Sequence, residues 1–182
     1  MAERRVLDAA GIEEALDRMA TQIKARQGQA PCAVIGIRRR GVPLAERLLE
    51  RLRAQGLEPL AGVLDITLYR DDLTLVAAQP VVHATEIEFD LEGVRVVLVD
   101  DVLFTGRTVR AAIDALFALG RPQRVELAVL VDRGHRELPF AADHTGIKVE
   151  TERSERVEVC LNEIDGRDEV VIQAQSQPGG GA

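Results

Sequence analysis

The sequence predicts an α/β fold, a parallel sheet flanked by helices, with ligands bound beyond the carboxyl ends of the strands. Two observations carry this. Cys32–Ile37, Val94–Val99 and Val125–Val131 are short, unbroken apolar runs, the pattern of strands buried on both faces. The stretches between them repeat apolar residues at helical spacing. The first helix, residues 12–26, carries Ile12, Ala15, Leu16, Met19, Ala20 and Ile23 on one face. Pro43 starts the second, which turns Leu44, Ala45, Leu48, Leu49 and Leu52 inward. Leu60–Leu68 and Pro80–Ile87 read as extended and predict an antiparallel arm, with the polar Tyr69-Arg70-Asp71-Asp72 after its first limb. A third helix spans Arg107–Leu119 and ends at Gly120 and Pro122. Val157–Leu161 and Glu169–Ile172 add two more strands. Residues 1–172 read as a single domain, and Gln173–Ala182, polar and glycine-rich, as a disordered tail.

The 182 residues suffice for one well-cored domain. With 23 Lys and Arg against 30 Asp and Glu, the net charge of −7 argues against a protein that holds polyanions by bulk charge. A local basic patch survives that objection. Cys32 and Cys160 lack further ligands at metal spacing and are expected to pack as small buried residues. No apolar run reaches the ~18 residues of a membrane span. The first residues lack the apolar core of a signal peptide, so a cytoplasmic protein is expected.

Chemistry concentrates in Val96-Val97-Leu98-Val99-Asp100-Asp101-Val102-Leu103-Phe104-Thr105-Gly106-Arg107-Thr108. Strand residues run into an acidic pair, then into a hydroxyl- and glycine-bearing loop that enters a helix. A helix start offers free N–H groups and a positive dipole end to a phosphate. Gly106 allows close backbone approach, and Thr105 and Thr108 add hydroxyl donors. Two carboxylates would repel a phosphate alone. They suit a ligand that also carries vicinal hydroxyls, met directly or through a divalent cation, and a ribose 5-phosphate has both. The plainer reading makes Asp100 and Asp101 caps of the next helix and Thr105-Gly106 a turn. Neither a Walker-A loop nor Gly-x-Gly-x-x-Gly occurs, so triphosphate hydrolysis and dinucleotide binding lose their usual phosphate loops.

That segment resembles the ribosyl-phosphate signature of type I phosphoribosyltransferases, which use 5-phosphoribosyl 1-pyrophosphate (PRPP). Asp65-Ile66-Thr67-Leu68-Tyr69-Arg70-Asp71-Asp72-Leu73 and Leu127-Ala128-Val129-Leu130-Val131-Asp132-Arg133-Gly134-His135-Arg136-Glu137-Leu138-Pro139 narrow the resemblance. They are similar to the bifunctional pyrimidine operon regulator/uracil phosphoribosyltransferase family, over about residues 5–172. The resemblance implies a parallel-sheet core with a small hood and a flexible antiparallel arm. It implies a PRPP site formed by Arg39, Arg40, Gly41, Arg70 and residues Asp100, Asp101, Val102, Leu103, Phe104, Thr105, Gly106, Arg107 and Thr108. Asp100, Asp101 and Arg40 would serve catalysis, and Val131, Arg133 and Val157 would hold uracil. Mg²⁺ would arrive with PRPP near Asp100 and Asp101 rather than by dedicated protein ligation. A basic triplet such as Arg38-Arg39-Arg40 is by itself usually a solvated loop; its place between a strand and a Pro-started helix favours the pyrophosphate role.

The same resemblance implies a homodimer or homotetramer that answers to UMP and UTP, and UMP-dependent binding of a pyrimidine-operon mRNA leader. Arg18, Arg26, His135, Arg136, Arg153 and Arg156 are the candidate RNA contacts. Several positions depart from the family's basic pattern: Asp17-Arg18-Met19-Ala20-Thr21, Ala141, Ile147, and Glu150-Thr151-Glu152-Arg153-Ser154-Glu155. The departures make an enzyme with weakened or lost RNA binding the alternative expectation.

Overall fold

The computed structural model describes residues 3–69 and 85–174. In chain order the elements are β1 (Glu3–Leu7), α1 (Ala9–Ala25), β2 (Cys32–Ile37), α2 (Gly41–Ala54), β3 (Leu60–Leu64) and β4 (Arg95–Leu103). They continue with α3 (Arg107–Leu119), β5 (Arg124–Asp132), β6 (His144–Lys148), β7 (Glu155–Cys160), α4 (Asn162–Asp165) and β8 (Glu169–Ala174). Five strands form a sheet in the order β3-β2-β4-β5-β6, every pair parallel. The α/β reading is borne out.

Alternation along the central strands sorts the core into two layers. Val34, Val97, Val99, Ala128 and Leu130 face α1 and α2, while Ala33, Ile35, Val96, Leu98, Leu127 and Val129 face α3. The helix faces match the predicted ones, since Ile12, Leu16, Met19 and Ile23 of α1 and Leu44, Leu48 and Leu52 of α2 are all buried. α1 begins at Ala9, three residues before the expected start, because the Asp8 carboxylate caps it by accepting from the Gly11 N–H at 2.9 Å. α2 begins at Gly41, which makes Pro43 its third residue, where the missing N–H is still not needed. Both cysteines are buried free thiols whose pKa burial pushes up.

Three expectations need correction. The extended reading of Leu60–Leu68 holds only to Leu64. The Asp65 carboxylate then accepts from the Thr67 N–H and hydroxyl at 2.8 and 2.6 Å, and Thr67–Tyr69 curl into a 3₁₀ turn. Of the second limb, Glu86 bridges Val63 in antiparallel fashion, whereas residues 70–84 lie outside the described residues. Second, β7 and β8 do not extend the parallel sheet. With β1, which the sequence did not signal, they form a separate antiparallel sheet in the order β1-β8-β7, the hood. Third, Gln173 and Ala174, expected in the tail, belong to β8, where Gln173 pairs with Glu3 and Arg156. Residues 175–182 lie outside the described residues.

Strand order places the site. β3 lies to one side of β2, and the chain then returns to β2's other side to lay down β4, β5 and β6. The carboxyl ends of β2 and β4 therefore diverge around a topological switch point, where crossing connections leave a crevice.

Candidate active site

Gly36 and Gly41 bring the two loops of that crevice together. A Cβ on Gly41 would stand 2.3 Å from the Val99 carbonyl oxygen, and one on Gly36 would stand 2.7 Å from the Gly41 oxygen. The β2–α2 loop is thus laid directly against the backbone of β4. Arg38-Arg39 is joined by a cis peptide bond. Beside it opens a cavity of about 260 Å³ lined by Arg38, Arg39, Arg40, Ile66, Asp100, Asp101, Val102 and Thr108. Arginines from one loop and carboxylates from the other share this space.

The acidic pair does not cap α3. Asp100 Oδ1 accepts from the Asp101 N–H at 3.0 Å, and Asp101 Oδ1 accepts from the Val102 N–H at 2.8 Å. The cap is Gly106 at φ +92°, which brings no side chain to the helix start; the Thr105 hydroxyl accepts from the Arg107 N–H at a long 3.4 Å. Only glycine takes that backbone easily, and a Cβ there would also press on the Phe140 ring at 3.1 Å. The open first turn of α3 remains a place for an anion, with Thr108 bordering the cavity. The Thr105 carbonyl is held by the Glu137 and Leu138 N–H groups at 2.9 and 3.0 Å, which braces the loop from the β5 side. Arg107 points outward to Glu137 at 2.9 Å, and Glu137 also pairs with Arg153. Those two guanidiniums, Arg107 first, hold the Glu137 carboxyl below the usual range.

A second cavity of about 460 Å³ lies beside the first and shares Val102 with it. Phe104, Arg133, Arg153, Glu155, Arg156 and Val157 line the rest. Arg133 lies over the Phe104 ring, 4.0 Å from its centroid, and donates to the Glu155 and Glu152 carbonyls at 2.8 and 2.9 Å. It is 6% exposed, so it fastens the approach to β7 as well as walling the cavity.

Sequence-predicted residues therefore divide. Arg39, Arg40, Asp100, Asp101, Val102 and Thr108 come together at the first cavity, and Arg133 and Val157 at the second. Leu103 lines neither cavity, its side chain being buried in the α3-side core. Phe104 faces the second cavity rather than the first. Val131 is wholly buried in the α1-side core and lines neither. Arg70 lies outside the described residues. Ile66 borders the cavity without any sequence signal, since an isoleucine in an apolar strand end reads as core.

The candidate RNA residues are engaged in different ways. Arg18 donates to the Gly146 carbonyl and Arg26 pairs with Asp143, both along the β6 edge. Arg136 is spent internally, donating to Phe140, Phe104 and Gly134 carbonyls and to Asp132. His135 Nε2 bonds the Thr151 carbonyl at 2.6 Å. Arg18, Arg26, Arg153 and Arg156 are exposed, and of these Arg153 and Arg156 line the second cavity. Ile147 is half-buried against the core rather than on an open surface.

Comparison with known proteins agrees with this geometry. The phosphoribosyl transferase domain family matches residues 4–162. A protein of Pelotomaculum thermopropionicum named "Bifunctional protein PyrR" is 56% identical over 170 residues, 92% of this chain and 94% of that protein. A protein of the same name from Deinococcus radiodurans is 54% identical over 169 residues, 92% of each. Among solved structures, a hypoxanthine phosphoribosyltransferase of Staphylococcus aureus superposes with a TM-score of 0.70 at 17% identity, over 94% of this chain and 92% of that one. That likeness concerns the fold. Parallel sheet, switch-point cavity, hood and sequence identity agree: the chain belongs to the phosphoribosyl transferase domain family and, within it, to the bifunctional PyrR proteins.

Proposed function

We propose that the protein is a uracil phosphoribosyltransferase that forms UMP and pyrophosphate from uracil and PRPP, and that it regulates pyrimidine genes by UMP-dependent binding of their mRNA leader. The observation that carries the enzymatic reading is the pair of adjoining cavities that share Val102. One offers arginines and carboxylates to a polyanionic sugar. The other offers a space walled in part by Val102, Phe104 and Val157 to a base.

The bond from ribose C1 to the pyrophosphate oxygen breaks, and the bond from C1 to uracil N1 forms as the N1 proton is released to solvent. Leaving-group loss runs ahead of attack, so positive charge grows on the sugar. Asp100 and Asp101 hold the ribose hydroxyls and face that charge, while Arg39 and Arg40 meet the departing pyrophosphate. The α3 N-terminus and Thr108 hold the 5-phosphate. Catalysis is mostly positioning and electrostatics.

Mg²⁺ suits this donor set. Asp100 and Asp101 offer hard oxygen ligands beside the pyrophosphate arginines. Such a cation would take one or two carboxylates together with substrate oxygens, and when bound would supply charge neutralisation to the leaving pyrophosphate.

Arg153 and Arg156, exposed where the uracil ring of UMP would lie, support a link between UMP and RNA. The relatives' shared name favours both activities over an enzyme that has lost RNA binding. Half-exposed Phe117 and Leu119 on α3 offer apolar surface to the expected dimer or tetramer. Substrates and mRNA place the protein in the cytoplasm. Among the described residues no helix is long and apolar enough to cross a membrane.

The test is product formation with PRPP, magnesium and either uracil or hypoxanthine. UMP from uracil, with no IMP from hypoxanthine, is expected; IMP as the main product would overturn the base assignment. A gel shift with the organism's pyrimidine leader should require UMP, and a shift indifferent to UMP would refute the regulatory half.

A further inference from the structure

Arg40 is joined to a residue 125 positions away. Its Nη2 donates to Asp165 Oδ1 at 3.0 Å, linking the pyrophosphate loop to α4 in the hood connection. Asp165 is itself fixed, because its Oδ2 accepts from the Leu161 N–H at 2.9 Å. That amide first, and Arg40 after it, hold the Asp165 carboxyl below the usual carboxylate range. Arg40 Nε is buried and has no hydrogen-bond partner among the described residues, so Asp165 is the side chain that orients this guanidinium.

Docking the hood segment does not need this pair. Arg47 of α2 already holds it, through Glu163 at 2.7 Å and Asp168 at 2.8 Å, and Asp168 also accepts from the Asn162 N–H. What Asp165 adds is control over Arg40 at the edge of the anionic cavity. A free arginine samples many rotamers, and a fixed one presents its fork to an arriving phosphate.

We propose that Asp165 is a positioning residue for pyrophosphate: it aims Arg40 into the PRPP cavity and so couples the hood to the leaving-group loop. The inference rests on the assignment of residues 38–41 as the pyrophosphate loop. It has an opposing electrostatic expectation, because a carboxylate also offsets the positive charge that Arg40 offers to a phosphate. Orientation outweighs that offset here. The pair remains partly hydrated, at 30% and 22% side-chain exposure, where a carboxylate's field is screened but its hydrogen bond still directs the fork.

Asp165→Asn tests this, since one amide oxygen can keep the Leu161 bond while the amide nitrogen turns Arg40 away. Calorimetry with magnesium pyrophosphate, and the KM for PRPP, should each show about tenfold weaker binding, the scale of one charge-assisted hydrogen bond. UMP carries no pyrophosphate, so its affinity and the melting temperature should hold. Asp165→Glu should restore part of the loss. Unchanged or tighter pyrophosphate binding in Asp165→Asn overturns the proposal, and so does an equal loss of UMP affinity, which would mean a merely structural role. Arg40→Ala separates the levels. If it leaves pyrophosphate binding intact, the loop assignment fails and the inference with it. If Arg40→Ala weakens binding and Asp165→Asn does not, only the role of Asp165 fails.

Discussion

Replacing Gly41 with alanine should damage stability and catalysis together. The new Cβ would lie 2.3 Å from the Val99 carbonyl oxygen and 3.4 Å from the Asp100 Cα, both backbone atoms of β4 that cannot swing aside. Carbon and carbonyl oxygen settle at about 3.3 Å, so the loop must retreat by about 1 Å. Overpacking of this kind costs about 1–3 kcal/mol, and a backbone-to-backbone clash belongs at the upper end. For a chain of this size each kcal/mol moves the melting temperature by about 2–4 °C, so a fall of roughly 6–12 °C is expected at 3 kcal/mol. The same retreat separates Arg39 and Arg40 from Asp100 and Asp101, and a misplacement of about 1 Å can lower turnover by about 100-fold. Scanning calorimetry and kcat/KM for PRPP read the two effects. Gly28→Ala is the control, because nothing lies within 4 Å of its added Cβ. Gly41→Ala with wild-type melting and PRPP kinetics would refute the claim that the loop is laid on β4.

Asp101→Asn should keep the fold and reduce kcat/KM for PRPP by about ten- to hundredfold, the scale of a lost charged hydrogen bond; full turnover at low PRPP would count against its ribose role. Gly106→Val places a β-branched residue at φ +92° and 3.1 Å from Phe140, so calorimetry should show PRPP and UMP affinities lost together; unchanged UMP binding by a folded variant would sink the phosphate cradle. The buried Arg95–Glu126–His144 cluster predicts acid sensitivity. Burial keeps the His144 pKa below 6.5; burial alone would raise Glu126, but hydrogen bonds from Arg95 and His144 outweigh it and hold it at about 2. Both groups bind protons more readily unfolded, so stability should fall as pH drops below 6.5, then further toward 2. His144→Gln should flatten the fall of urea-unfolding stability that sets in below pH 6.5, and an unaltered slope would exclude His144 as its source. Arg153→Ala and Arg156→Ala should each reduce the salt slope of leader binding by about one unit, whereas Arg136→Ala should lower the melting temperature instead; a steep slope surviving both rim variants would place the RNA face elsewhere.

The strands β2, β4 and β5 and the helices α1, α2 and α3 were legible in sequence because each buries a long periodic face, and burial is what writes period into a chain. α3 was legible to the residue, since Gly106 and Gly120 mark both ends. The acidic pair and the phosphate loop were legible because they are contiguous, and one strand-to-helix turn holds them all. Tertiary structure decided what depends on distant segments. β1 and β6 are five residues each and carry too little apolar pattern to announce themselves; their partners, β8 and β5, make them strands. That Arg136 clamps carbonyls of its neighbouring loops, Arg133 lies over Phe104, and the Val131 side chain packs in the core follows from contacts across 4 to 33 positions or from depth in the sheet. The link from Arg40 to Asp165 spans 125 residues, and a charge pair has no periodicity to betray it. Local chemistry is written along the chain, whereas which arginine meets substrate and which braces the fold is set by packing alone.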